Sequence, residues 1–304
     1  MPYDISIKKV AFAGASGNLG AAILKELLES NLFEITVLTR QSSSHSFPPK
    51  VQVVKVNFAD LESLTAALSG QDALVSAVAT LAIPYQKLLI DAAVKAGVKR
   101  VIPSEFGCDL KNPRTRTLPI YAAKVEIEEY LDALAVKSAL SYTLVYNGPF
   151  LDWGLKNGLY LNFKERKADI YDGGDQLFST SRLSTVGKAV RRILTHPRET
   201  ADRAIRVKDI DVSQNQLLKL AQALTPGEEW DIKQLDTATL EKESLAQVQK
   251  NEVGPLTMLG FLKRAIFASE YGNRFENVHN SVLGITGMTK EDVEELVASI
   301  FGRN

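Results

Sequence analysis

The chain has 304 residues, with 36 Lys+Arg balanced by 36 Asp+Glu, so its formal net charge is zero and no global basic field gathers nucleic acid or anionic membrane. Hydrophobic residues make up 45% and charged residues 24%, which is ordinary for a soluble globular protein and excludes a disordered or low-complexity chain. A single cysteine, Cys108, excludes an intramolecular disulfide and fits a reducing compartment.

The first half alternates strand and helix signals. A strand is expected from Ile5 to Ala13, where the short apolar run Lys8 to Ala13, closed by glycine, predicts burial. Asn18 to Glu29 follows at helical spacing, with Ile23, Leu24, Leu27 and Leu28 on one face. Strands are expected at Ile35 to Leu38 and Val51 to Val56, separated by a Ser- and Pro-rich loop from Gln41 to Lys50. Asp60 caps a helix that turns Leu61, Leu64 and Leu68 inward. Next come a strand from Ala73 to Val78, a helix that Pro84 opens and Gly97 ends, and a strand from Arg100 to Ile102. A helix from about Pro119 to Lys137 and a sixth strand, Tyr142 to Tyr146, complete this half. Six strands at this spacing mean βαβ units in a doubly wound parallel sheet of Rossmann type.

After Phe150 the rhythm breaks. Gly154, Gly158, Gly173 and Gly174 mark loops. Helices are expected at Ser184 to Thr195, Ser213 to Leu224, Asp236 to Lys250, Pro255 to Ser269 and Thr289 to Phe301, with one short strand at Ala204 to Lys208. The expected organisation is a dinucleotide-binding domain over residues 1–150, with later returns of the chain allowed. A smaller, mainly helical substrate-binding lobe over 151–304 completes it.

The strongest local signal is Gly14-Ala15-Ser16-Gly17-Asn18-Leu19-Gly20, between the first strand and the first helix. Gly14 permits a tight turn, Gly17 lets backbone N–H groups approach a pyrophosphate, and Gly20 allows close packing of helix on strand. The helix start adds unpaired N–H groups and partial positive charge. The spacing is G-x-x-G-x-x-G, a variant of the usual fingerprint. At the end of the second strand, where an acid would hold a ribose 2′-hydroxyl, the chain has Thr39-Arg40 followed by Ser42 and Ser43. An arginine there suits a 2′-phosphate, so NADPH is the expected cofactor. Ser76-Ala77, Ser104 within Pro103–Gly107, and Asn147 to Phe150 fall on the same carboxyl edge of the sheet and join the candidate cofactor set.

Lys124 is the catalytic candidate. At about 100° per residue it lies within roughly 80° of each of the apolar Ile120, Ile127, Leu131 and Leu134. The alternative is a snorkelling lysine paired with Glu128 at i,i+4, and helical spacing does not choose between the two.

Together, Gly14 to Gly20, Thr39-Arg40, Val98 to Gly107, Lys124 and Asn147 to Phe150 resemble the isoflavone reductase-like branch of the NmrA-like family, which are atypical short-chain dehydrogenases. The likeness continues through Val186 to Val190, His196 to Arg198 and Ser213 to Leu217, and so covers nearly the whole chain. It implies NADPH, a carboxy-terminal substrate lobe and a catalytic lysine at Lys124. Three positions depart: Glu128 replaces an arginine common in the plant reductases, Thr185 replaces a common acid, and Tyr121 stands three residues before the lysine rather than four. The implied activity is hydride delivery to an enone, carbonyl or quinone-methide-like carbon of a small aromatic or secondary-metabolite substrate. The family also contains regulators that bind dinucleotide without turnover, which is the alternative expectation.

His45, His196 and His279 lie too far apart to predict a metal site. No signal-peptide pattern precedes the first strand, and the longest weakly polar stretch, Ala73 to Ile83, is too short to span a bilayer. The expectation is a cytoplasmic monomer or homodimer whose partner is a small molecule.

Overall fold

The computed structural model describes residues 6–302; Ile5, expected to begin the first strand, lies outside the described residues. The elements run β1 (Lys9–Ala13), α1 (Asn18–Ser30), β2 (Glu34–Arg40), β3 (Gln52–Val56), α2 (Leu61–Leu68), β4 (Ala73–Ser76), α3 (Gln86–Lys95), β5 (Arg100–Ile102), α4 (Pro113–Arg116), α5 (Ala122–Lys137) and β6 (Ser141–Tyr146). There follow α6 (Leu151–Lys156), β7 (Lys167–Tyr171), β8 (Phe178–Thr180), α7 (Leu183–Thr195), β9 (Arg203–Arg206), β10 (Ile210–Val212), α8 (Gln214–Ala223), β11 (Asp231–Leu235), α9 (Thr237–Gln249), α10 (Pro255–Phe267) and α11 (Lys290–Phe301).

Seven strands form one sheet in the order β3-β2-β1-β4-β5-β6-β9, and every pairing is parallel. The pleat explains why its strands read as continuous apolar runs. Val10 and Phe12 point to one face, against Ile23 and Leu27 of α1 and Val186 and Val190 of α7. Ala11 and Ala13 point to the other, where Leu64, Leu89, Ile90 and Leu131 pack from α2, α3 and α5. Both faces are covered, so neither set of side chains can be polar. Burying each Leu or Ile contributes about 1.5–3 kcal/mol. Gly187 lets α7 close on α1, since a Cβ there would lie 2.9 Å from the Ala22 carbonyl oxygen.

The order reverses between β1 and β4, and a crevice opens there at the carboxyl ends of the strands. On the far side of the sheet the chain returns after α7 to add β9 beside β6. Arg100, fully buried in β5, ties that return down through Ser141 Oγ (2.7 Å), Thr143 Oγ1 (3.0 Å), Thr200 Oγ1 (3.0 Å) and the Pro197 carbonyl.

Some elements differ from expectation. Pro84 lies inside a 3-10 turn, Thr80–Tyr85, and α3 starts only at Gln86. A second 3-10 turn, Pro119–Tyr121, precedes α5. The later half is mainly helical as expected, but it also holds two small sheets. In one, β8 and β10 run antiparallel; in the other, β7 and β11 run parallel. Among the described residues no helix is long and apolar enough to cross a membrane.

Candidate active site

The glycine loop divides its work among three positions. Gly14 has φ +87°, and a Cβ there would come within 2.4 Å of the Ala77 carbonyl oxygen. A Cβ on Gly20 would strike the Gly14 carbonyl oxygen at 2.0 Å. These two glycines are required by the protein itself. A Cβ on Gly17 meets only Gly14 O, at an ordinary 3.6 Å. Gly17 is also the N-cap of α1, with no side chain capping the helix, so the N–H groups of Asn18, Leu19 and Gly20 begin it without a side-chain acceptor. Such an end presents donors and positive potential to an anion.

A groove of about 700 Å³ extends from this loop across the ends of β1, β2 and β4. Of the sequence-predicted residues, Gly14, Ser16, Gly17, Arg40 and Ala77 line it. Ser42, Ser43 and His45 line its far end beside Arg40, whose exposed guanidinium has no carboxylate partner among the described residues. Sequence reasoning missed Phe47, Asn57, Phe58, Tyr85 and Gln86, which also line it. Asn57 and Phe58 directly follow β3, so the rule that ligands lie beyond strand ends could have found them.

Ser104, Lys124, Asn147 and Phe150 are not among the groove's lining residues; they belong to an adjoining cluster behind the ends of β5 and β6. The loop after β5 is tied to the loop after β4 by Ser104, whose N–H donates to Gln86 Oε1 (2.8 Å) and whose hydroxyl donates to the Val78 carbonyl (2.9 Å). Phe106 then turns the chain at φ +32°, a costly angle for an aromatic residue. Gly107 accepts from the N–H groups of Asn147 and Gly148, both at 3.0 Å. Gly148 (φ +66°) lies so close to Ser179 that a Cβ would reach its carbonyl oxygen at 2.0 Å. Phe150 bridges to Ser181 and caps α6.

The half-buried Lys124 stands in the first turn of α5, and its ammonium donates to the main-chain carbonyl of Glu105. It does not pair with Glu128. That carboxylate, fully buried, accepts from Lys111 (3.2 Å), from Arg116 (3.0 Å) and from the Tyr146 hydroxyl. Beside this satisfied acid, the Glu105 side chain is buried, and its Oε1 has no hydrogen-bond partner among the described residues. Burial pushes its carboxyl up to about 8, against the pull of the Lys124 charge and with the repulsion of Glu128. Burial also pushes the Cys108 thiol up to about 11, so it is no thiolate nucleophile.

Residues 6–253 match the family model described as the NmrA-like family. The chain belongs to that family. It is 35% identical over 296 residues to oxidoreductase aprR of Aspergillus flavus, covering 96% of this chain and 98% of that protein. It is 33% identical over 308 residues to oxidoreductase poxI of Penicillium oxalicum, covering 96% and 93%. The solved structure of AtPrR2 with NADP+ and (+)pinoresinol superposes with a TM-score of 0.77 at 23% identity, over 97% of this chain and 99% of the other, a likeness of fold. In this NmrA-like chain a buried acid, Asp209, stands beside Thr185 of α7. The Thr185 hydroxyl donates to Asp209 at 2.9 Å, and Asp209 also pairs with Arg182.

Proposed function

We propose that this NmrA-like protein is an NADPH-dependent reductase acting on an enone, carbonyl or quinone-methide-like carbon of a small aromatic or secondary-metabolite substrate. Lys124 is its proton relay. The observation that carries this reading is the continuity of the site: an uncapped helix start, a groove ending at an Arg40 without a carboxylate partner among the described residues, and a lysine of α5 held by a main-chain carbonyl of the adjoining loop. The names of the relatives, two oxidoreductases that align end to end with this chain, support the same class.

The residues fit the cofactor. The open side of Gly17 leaves room for a pyrophosphate over the N–H groups of Asn18, Leu19 and Gly20, and Ser16 lines the same wall. Arg40, with Ser42 and Ser43, suits a 2′-phosphate. Thr39 Oγ1 and Ser76 Oγ are buried without partners among the described residues, beside the strand ends where a dinucleotide would lie. When bound, NADPH supplies a hydride. The work of the chain is to hold the substrate dry and in line, and to move one proton. Lys124, fixed by the Glu105 carbonyl, can deliver a proton to the atom that gains negative charge as the hydride adds. Asn147 is tied by its N–H to Gly107 near Lys124, and residues 151–304 would contribute the substrate side.

The test is NADPH oxidation, followed by absorbance, against enones, quinones, ketones and phenylpropanoid-like compounds. Turnover of at least one class is expected. Tight NADPH binding with no turnover across the whole panel would overturn the reductase reading in favour of a dinucleotide sensor.

A further inference from the structure

Two glutamates share the polar cluster behind β5 and β6, and they are treated in opposite ways. Glu128 accepts from three donors, two of them cationic. Glu105 is equally buried, yet its Oε1 meets no donor. Of the cations around it Lys124 acts on it most strongly, and that ammonium is engaged by the Glu105 main-chain oxygen rather than by the carboxylate. Lys111 and Arg116 also face it but are committed to Glu128. Cys108 and Tyr121 complete the wall, both raised by burial, as is Tyr146 from β6. Ionising Glu105 in the resting site would bury a charge with one oxygen lacking any donor, next to another carboxylate, which costs several kcal/mol. A buried glutamic acid with a free oxygen is a poor structural plug, because glutamine would fill the same volume with no charge to suppress. Two acids whose surroundings drive them apart in this way commonly divide acid and base roles.

We propose that Glu105 and Lys124 form a proton-sharing pair, in which the neutral Glu105 carboxyl restores the proton that Lys124 gives to the substrate. The inference rests on the reductase reading for its purpose but not for its test. Lys124 begins as the ammonium. Its N–H bond breaks as the proton passes to the substrate atom, leaving a neutral amine. The Glu105 O–H then breaks, and its proton goes to the Lys124 nitrogen. Carboxylate and ammonium result, a pair that the buried site stabilises through mutual attraction. A proton from solvent restores the carboxyl before the next cycle, so each turnover consumes one solvent proton.

The pair is tested without turnover by infrared spectroscopy of the protein. A carboxylic acid C=O band is expected at pH 7, titrating near 8 and missing from Glu105→Gln. In Lys124→Met the titration should move upward, because the ammonium that favours the carboxylate is gone. Absence of a protonated carboxyl at pH 7, or a titration that Lys124→Met leaves unmoved, would overturn the pairing. With a substrate in hand, Glu105→Gln should keep its single-turnover rate within about threefold, since that step uses the proton already on Lys124. Steady-state turnover should fall about 10–100-fold, and the limb of the pH profile near 8 should vanish. Equal losses in both rates, or an unchanged profile, would reject Glu105 as the source even if the protein is a reductase.

Discussion

The glycine loop permits a prediction that separates folding from binding. A methyl group at Gly20 would sit 2.0 Å from Gly14 O and 2.9 Å from Ala15 Cα, all of it backbone that cannot swing aside. Gly20→Ala must therefore push α1 away from the loop, and overpacking of this kind costs about 1–3 kcal/mol. In a chain of this length that lowers Tm by roughly 2–4 °C per kcal/mol. Gly17→Val is the contrast. The nearest atom to its Cβ is 3.6 Å away, so the protein without ligand should lose no more than about 1 kcal/mol. Its branched side chain, however, would cover the helix N–H groups. Losing two charge-assisted hydrogen bonds at about 1.5–3 kcal/mol each should weaken NADPH by at least about 10²-fold. Calorimetric melting without cofactor, paired with fluorescence titration of NADPH, reads both quantities. A Gly17→Val protein that binds normally, or a Gly20→Ala protein that melts with the parent, would refute the division of labour.

Other substitutions probe single contacts. Arg40→Glu should erase or invert the preference for NADPH over NADH; equal affinities in the unmodified protein would dismiss Arg40 as the selector. Lys124→Ala should leave NADPH affinity within a few-fold while turnover drops by roughly 10²–10⁴, and Lys124→Arg should not rescue it because guanidinium holds its proton. Glu128→Ala strands the buried Tyr146 hydroxyl and frees two cations, so about 3–5 kcal/mol of stability should be lost by urea denaturation; a loss under 1 kcal/mol would contradict the three-donor anchor. Ser76→Ala removes an unpartnered buried hydroxyl and should leave the cofactor-free protein as stable or slightly more so, yet weaken NADPH binding measured in the same titration.

The parallel sheet was legible because its strands are apolar on both faces and closed by glycine or caps, signals that are local. Asp60 and Ser213 cap their helices where the sequence put them. What local pattern missed was set by distant chain. Helical spacing offered Glu128 to Lys124, but the segment of Lys111 and α4, which ends in Arg116, reaches α5 and takes the carboxylate first. Pro84 looked like a helix opener because its missing N–H suits a first turn, and the structure uses that same property inside a 3-10 turn. Strands β7 and β11 escaped notice because β11 is mostly exposed and lacks an apolar period, and its partner lies 64 residues upstream. Glu105 was visible as part of the Pro-Ser-Glu-Phe-Gly run, but nothing in the sequence tells that its carboxyl is buried and unpaired.

The unpartnered polar atoms show why the site sits where it does. Thr39 Oγ1 ends β2, Ser76 Oγ ends β4, Glu105 Oε1 follows β5 and Asn147 Oδ1 follows β6, all buried and all without a hydrogen-bond partner among the described residues. Each costs about 1–3 kcal/mol if it stays unsatisfied. These four gather at the carboxyl edge, on both sides of the β1–β4 reversal and next to the costly Phe106 turn. The core of this protein satisfies even a buried arginine, as Arg100 shows with four partners, so the imbalance at the edge is not loose packing. Gln71 Oε1 and both amide atoms of Asn273 are also unpartnered away from this rim, but the four along it end or follow neighbouring strands of one sheet, where a ligand that brings its own hydrogen bonds would satisfy them together.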